Sequence, residues 1–271
     1  MGQIDELWRY DGRRVVVTGC ASGIGAEVAR QLTELGAEVV GLDVRRPTVQ
    51  LKEFHVVDLA DPASIDCAVA SIGGQVDSLF NVAGVSSGIG NPLLVVRINF
   101  LGTRHLTEAL IESMGPGATI ASVSSLAAAG YLDNRDTTAG LLRTRTVDEG
   151  IAWCEEHPNA IADGGYRLAK EAIILYTMKS VVPLGTRGIR INCTGPGVTE
   201  TPILDQLRTA YGPAFLDDIP KPLGRVSESA EQAAVLVFLN SQAASYITGQ
   251  VIWVDGGNVA GRIAATLEGS E

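Results

Sequence analysis

The chain has 271 residues, 46% of them hydrophobic, and a formal net charge of −10. That length suits one large α/β domain or two small ones. The acidic balance argues against a nucleic-acid partner, whose phosphates need a basic footprint, and no stretch is long and apolar enough to span a bilayer.

The four cysteines, Cys20, Cys67, Cys154 and Cys193, form no CxxC pair. His55, His105 and His157 are equally scattered, so no metal site is expected. The cysteines read as buried apolar residues in a reducing compartment. The N-terminus has no apolar run of signal-peptide length. It begins like a myristoylation site but places Glu6 where Ser or Thr is needed. A cytoplasmic protein is the expectation.

In chain order, RRVVVTG (13–19) is a β-branched run ending in glycine, a buried strand. Residues 24–36 carry Ile24, Val28, Leu32 and Leu35 at helical spacing and stop on glycine. AEVVGLD (37–43) predicts a second strand and FHVVDLAD (54–61) a third. A helix follows, with proline just inside its start. DSLFNVAG (77–84) is a fourth strand, Leu93 to Met114 a helix, and GATIASVSS (117–125) a fifth strand. Residues 126–162 break the rhythm: they hold no strand signal, and 138–158 read as helical. Next come a helix over about 163–186, a strand over 188–197, a helix over 227–240 and a strand over 250–257. Strands alternating with helices predict one doubly wound parallel sheet with helices on both faces, a Rossmann-type fold in a single domain carrying a helical insert and a short C-terminal tail from 258.

TGCASGIG (18–25) joins the first strand to the first helix. Gly19, Gly23 and Gly25 let the backbone turn tightly and approach a pyrophosphate, and the helix start supplies N–H donors. Asp43 ends the second strand 18 residues beyond Gly25. A carboxylate there accepts from ribose hydroxyls and repels a 2′-phosphate, which favours NAD. Arg45 and Arg46 pull the other way, since arginines nearby can hold a 2′-phosphate. Asp58 is either an adenine contact or a cap for the next helix.

YRLAK (166–170) sets a tyrosine one helical turn before a lysine. A phenol can move a proton, but a free one titrates near ~10, too high for a base at neutral pH. A neighbouring ammonium favours the phenolate, so Lys170 is expected to lower Tyr166. YLDNR (131–135) is a rival: Tyr131 lies nearer the fifth strand, but no lysine follows one turn later and Asp133 and Asn134 indicate a loop. Tyr131 is read as a decoy for the proton-transferring role, with the substrate mouth as one place for it.

Together these motifs resemble the short-chain dehydrogenase/reductase family. They are TGCASGIG, Asp58-Leu59, NVAG from Asn81, Asn99, Ser124-Ser125, YRLAK, Pro196-Gly197 with Thr201, and the DGG at 255, in the family's order over roughly 13–257. The resemblance implies catalysis by Asn99, Ser125, Tyr166 and Lys170. Ser125 would orient the substrate oxygen, Asn99 would hold a water linking Lys170 to solvent, and Lys170 would also bind the nicotinamide ribose. Ser122 and Ser124 compete with Ser125, and the family pattern selects Ser125. For the dinucleotide it adds Ala21, Ser22, Ile24, Leu59, Asn81, Ala83, Gly84, Pro196 and Gly197, with Val198 and Thr201 at the carboxamide. Ser125 and Tyr166 stand 41 residues apart, against about a dozen in most members. That insert is similar to the bacterial subgroup of 3α-hydroxysteroid dehydrogenase/carbonyl reductase and coniferyl-alcohol dehydrogenases.

Between Thr201 and Arg225, Ile203, Leu204, Leu207, Tyr211, Phe215, Leu216 and Ile219 form either a lid over a flat apolar substrate or an ordinary packed helix. Trp153 could wall the pocket or pack the insert onto the body. The leading expectation is an NAD-dependent dehydrogenase for a hydroxysteroid or aryl allylic alcohol, and the alternative is a non-catalytic dinucleotide-binding regulatory or scaffold protein. AAVLVFL (233–239) and VIWV (251–254) offer an apolar face for a homodimer or homotetramer.

Overall fold

The computed structural model describes residues 3–212 and 218–268. Seven parallel strands form one sheet: β1 Arg14–Thr18, β2 Glu38–Asp43, β3 Glu53–Val56, β4 Ser78–Asn81, β5 Thr119–Val123, β6 Arg190–Pro196 and β9 Val251–Val254. Their order across the sheet is β3-β2-β1-β4-β5-β6-β9. The chain therefore reverses direction across the sheet between β1 and β4, and ligands of such folds bind outside the carboxyl ends of the strands at that switch point.

Neighbouring residues of one strand feed opposite cores, as strand alternation requires. Val16, Leu79 and Ile120 enter one cluster with Leu106, Leu110 and Ile191. Val15, Val17, Phe80 and Ala121 enter another with Val28, Leu32 and Leu236. Helices α1 Gly23–Glu34 and α8 Ser229–Asn240 pack together on this second face. Helix α2 Pro62–Ile72 lies on the first face, beside the long helix that runs from Pro92 to Ile111 (α3).

Where the structure departs from the sequence reading, local chemistry explains it. The third strand stops at Val56, because the next residues turn: Asp58 accepts from Ala60 N at 2.8 Å, and the cap of α2 is Asp61, which accepts from Ala63 N at 2.9 Å. Helix α3 changes to π geometry over Arg97–Gly102. The helical run expected over 138–158 is two helices, α4 Arg135–Leu142 and α5 Val147–Glu156. The break is held by Arg104, whose guanidinium donates to the carbonyls of Thr144 and Thr146, while Thr146 caps α5 through Glu149 N. The YRLAK helix, α6, spans Tyr166–Gly185. It cannot begin at 163 because Gly164 and Gly165 adopt φ of 94° and 74°.

The insert packs tightly rather than looping out. Leu141, Val147 and Cys154 join Leu101, Leu168 and Ala172 in a third core. Gly140 makes room for the Trp153 indole, which a Cβ would meet at 2.6 Å, so Trp153 packs the insert internally. Helix α7, Pro202–Tyr211, begins the segment expected as a lid. Its base is tied by a two-strand parallel pair, β7 Thr199–Glu200 with β8 Ser227–Glu228. The expected lid residues Phe215 and Leu216 lie outside the described residues. The tail from 258 is a helix, α9, Asn258–Glu268. Cys20, Cys154 and Cys193 are buried as expected, but Cys67 is exposed on α2. Among the described residues no helix is long and apolar enough to cross a membrane.

Candidate active site

The ends of β1 and β4 carry the glycine turn. Gly19 has φ 71°, and a Cβ there would lie 2.8 Å from Ala83 Cα. Gly25 abuts the carbonyl oxygen of Gly19 so closely that no Cβ fits. These two glycines let the β1–α1 turn nest against β4's exit, and the Ser22 side chain makes no cap bond, which leaves the start of α1 open. Thr18, which sequence reasoning passed over as a site residue, pins the neighbouring strand: its hydroxyl accepts from Val82 N at 2.9 Å and Ala83 N at 3.0 Å. The cradle fits a pyrophosphate by its backbone donors and its lack of side chains.

Asp43 stands beside this turn. One carboxylate oxygen accepts from Ala21 N and the other from Arg45 N, both at 3.0 Å. The charge is thus fixed at the end of β2. Arg46 turns aside, its guanidinium 5.2 Å from the Phe54 ring centroid. Asp58 is exposed at the end of the turn after β3, while Leu59 is buried. Asn81 is committed to the fold: its amide donates to Thr107 Oγ1 at 2.9 Å and Ser122 Oγ at 3.2 Å.

A cleft of about 730 Å³ opens from the glycine turn toward Ser125, Tyr166 and Lys170. Ser22, Gly23, Ile24, Gly84, Ser125 and Tyr166 line it, as do Lys170, Pro196, Gly197, Val198 and Thr201. Gly19, Ala21, Gly25, Asp43, Asp58, Leu59, Asn81, Ala83 and Asn99 are not part of this lining. Gly197 has no room for a side chain, since a Cβ would meet Asp255 Cα at 2.7 Å. Thr201 caps α7 and lies against Gly23, so α7 starts over the glycine turn.

Ser125, Tyr166 and Lys170 converge at the far end. Ser125 follows β5, where its hydroxyl accepts from Ala127 N at 3.2 Å and lies near enough to Tyr166 to favour the phenolate. The other candidate serines are occupied: Ser124 donates to the carbonyl of Lys170 at 2.7 Å, and Ser122 accepts from Asn81. Lys170 is 3% exposed, donates to Val123 O at 2.8 Å and lies 5.6 Å from the Tyr166 ring centroid. Burial lowers its ammonium to about 8. The Tyr166 phenol is raised, not lowered as the sequence suggested, because burial outweighs the pull of the nearby Ser125 hydroxyl.

Asn99 sits in the π segment, fully buried. Its amide clasps the main chain of Val85, accepting from N and donating to O, each at 2.8 Å. Gly84 separates it from Lys170: a Cβ there would lie 3.0 Å from Asn99 Oδ1 and 3.6 Å from Lys170 Nζ. Tyr131 is absent from the cleft lining, contrary to its expected place at the mouth, because it packs on the insert's core. Arg262 of α9 does line the cleft, and nothing in the motif-free tail signalled it.

A backbone cradle at one end of the crevice and a hydroxyl–phenol–ammonium group at the other define an oxidoreductase that works on alcohols with a nicotinamide dinucleotide. Comparison with known proteins is specific. The short chain dehydrogenase profile matches residues 13–134, and the Enoyl-(Acyl carrier protein) reductase profile matches 157–258. Coniferyl-alcohol dehydrogenase of Pseudomonas sp. (strain HR199 / DSM 7063) is 36% identical over 246 residues, covering 90% of this chain and 96% of its own. The 3-alpha-hydroxysteroid dehydrogenase/carbonyl reductase of Comamonas testosteroni is 31% identical over 254 residues, covering 90% and 95%. The crystal structure of 3-alpha-hydroxysteroid dehydrogenase from Pseudomonas sp. B-0831, complexed with NADH, is 30% identical, superposes with a TM-score of 0.78, and covers 95% of this chain and 99% of that one. The chain belongs to the short-chain dehydrogenase/reductase family.

Proposed function

We propose that the protein is an NAD-preferring dehydrogenase that interconverts a bulky apolar secondary or allylic alcohol, a hydroxysteroid or aryl alcohol, and its carbonyl, with Tyr166 as acid and base. The observation that carries this reading is the Ser125–Tyr166–Lys170 group at the inner end of a roomy cleft, walled by Leu126, Ala127, Ile203, Leu207 and Ile219. A bound nicotinamide supplies the hydride acceptor. Ser125 fixes the substrate oxygen beside the phenol, and Tyr166 takes the hydroxyl proton in oxidation or returns it in reduction.

Burial holds the phenol neutral, so its ionisation depends on the charge brought near it. Lys170, with its ammonium lowered only to about 8, keeps its charge at neutral pH and stabilises phenolate as it forms. Because the Asn99 amide is taken by Val85, a water joining Lys170 to solvent would meet Asn99 through its main chain. Val198 and Thr201 are the groups we assign to the carboxamide. The NAD preference rests on Asp43, whose fixed charge would repel a 2′-phosphate, and it accords with the NADH held by the similar hydroxysteroid dehydrogenase.

We assign at least a dimeric contact, in a homodimer or homotetramer, to the face made by α8 and β9, whose edge-strand residues are half-exposed. A monomer at micromolar concentration in light scattering would refute that assembly. For the activity, nicotinamide absorbance is followed with a panel of steroid and aryl alcohols and both dinucleotides. Turnover of at least one bulky alcohol with higher kcat/KM for NAD is expected. Dinucleotide binding without turnover on any member would favour a scaffold, and a clear preference for NADP would overturn the role of Asp43.

A further inference from the structure

The insert ends where the catalytic helix begins, and a chain of charges joins them. Glu171, next to Lys170, is a wholly buried carboxylate. It accepts from three donors. Asn134 Nδ2 at 2.7 Å and Thr138 Oγ1 at 3.2 Å come from the insert, and Arg167 at 3.1 Å comes from one turn earlier on α6. Arg167, next to Tyr166, also donates through Nε to Asp163 at 2.6 Å. Asp163 in turn accepts from the main-chain N–H of Gly165 at 3.3 Å.

That last bond falls on the residue before Tyr166. Tyr166 is the first residue of its helix, where N–H groups lack intrahelical partners and ends fray. Its cap is Gly165, which has no side chain to fix it and makes no cap bond. A proton-transferring group at such an end needs outside support. Asp163 and Arg167 give it from the rim of the cleft, which both line, and the buried carboxylate of Glu171 holds Arg167 in place because it must itself stay paired.

Resting on the reading of Tyr166 as the acid and base, we infer that Asn134 and Thr138 of the insert, acting through Glu171, Arg167 and Asp163, position Tyr166 against Ser125. They are positioning residues, remote from the reacting atoms. Misplacement of a reacting group by about 1 Å can cost on the order of 10²-fold, so partial loosening should cost less.

The test removes the insert's two bonds without changing any charge: Asn134→Leu with Thr138→Val. Neither residue lines the cleft. The charged groups near Tyr166, namely Lys170, Asp163 and Arg167 on its own segment and Asp218 and Arg262 across the cleft, all remain. The expected result is a fall in kcat of about tenfold, with NADH affinity by fluorescence titration kept within about twofold. The midpoint of the pH–rate curve for oxidation should also move upward, because a displaced phenol is held less closely to the Ser125 hydroxyl, which favours the phenolate. Unchanged kcat and midpoint in the folded variant would overturn the inference, as would a lower kcat with the midpoint unmoved, which marks loss of active protein alone. Should the pair fail to fold, Thr138→Val alone is measured, with a smaller fall and the same upward shift expected; no change in either overturns the inference. Tyr166→Phe is run alongside. Its inactivity beside an unaffected insert variant sinks the positioning role only, whereas retained turnover sinks the assignment of Tyr166 beneath it.

Discussion

Gly19 and Gly25 shape one end of the crevice, which we propose holds the dinucleotide, by having no Cβ, whereas Lys170 stands at the end we propose to be catalytic as a full-length side chain buried to 3% exposure. The first end is made of backbone. Its donors are N–H groups, and its shape follows from a short stretch between one strand and one helix. The second end is assembled from β5, α3 and α6, and its groups are the hydroxyl, phenol and ammonium to which we assign proton transfer. A fault in the first should be a fault of binding, and a fault in the second a fault of turnover.

A crossed pair of substitutions tests that division most severely. Tyr166→Phe removes one hydroxyl and leaves the ring, so kcat should fall by ~10²–10⁴-fold while dinucleotide affinity holds. Gly25→Ala puts a methyl into the carbonyl of Gly19. Dinucleotide affinity by calorimetry should then fall by at least about tenfold, since the turn must open to relieve the clash. If Tyr166→Phe lost affinity and kept kcat at saturation, the two ends would have been assigned the wrong way round.

Lys170 sharpens the comparison through stability. Its folded ammonium is lowered to about 8, against ~10.4 for an ordinary lysine. Between those values the unfolded chain binds more protons than the folded one, so stability rises with pH across that window. Below pH ~8 the full penalty applies, at most about 3 kcal/mol. Lys170→Met should therefore raise Tm at neutral pH, abolish turnover, and remove the rise in Tm on alkaline titration. A Tm lowered at pH 7 would show that the bond to Val123 O outweighs the desolvation.

Asp43→Ala probes the dinucleotide end for selectivity. The kcat/KM ratio of NAD to NADP should drop by about tenfold, the size of one lost charge contact near the surface. An unchanged ratio would mean that Arg45 and Arg46 already decide the choice.

These two ends also differ in how far the sequence discloses them. The sheet was legible because buried parallel strands are β-branched runs with glycine at their exits, as at RRVVVTG. The glycine turn and YRLAK were legible because their spacing is local. What escaped reading depends on groups meeting from afar. Thr18 pins β4 from β1, Glu171 takes its partners from an insert 33 and 37 residues upstream, and Arg262 reaches the cleft from a tail helix. The direction of the Tyr166 shift was missed for the same reason: spacing reveals the lysine, but only packing reveals the burial that outweighs it.

Tyr131→Phe is the smallest expected effect and separates spacing from placement. Tyr131 lies only six residues past Ser125, and Tyr166 lies 41 past it, so proximity along the chain favours Tyr131 over the phenol we propose. In the structure Tyr131 packs with the insert's core and is absent from the cleft lining. Burial raises its phenol as it does that of Tyr166, but no serine hydrogen bond draws it back. Loss of its hydroxyl leaves the ring packing in place, so kcat should change by less than about twofold and Tm little, as for a substitution away from buried polar networks. Abolished turnover in Tyr131→Phe, with Tyr166→Phe still active, would move the proton-transferring group into the insert.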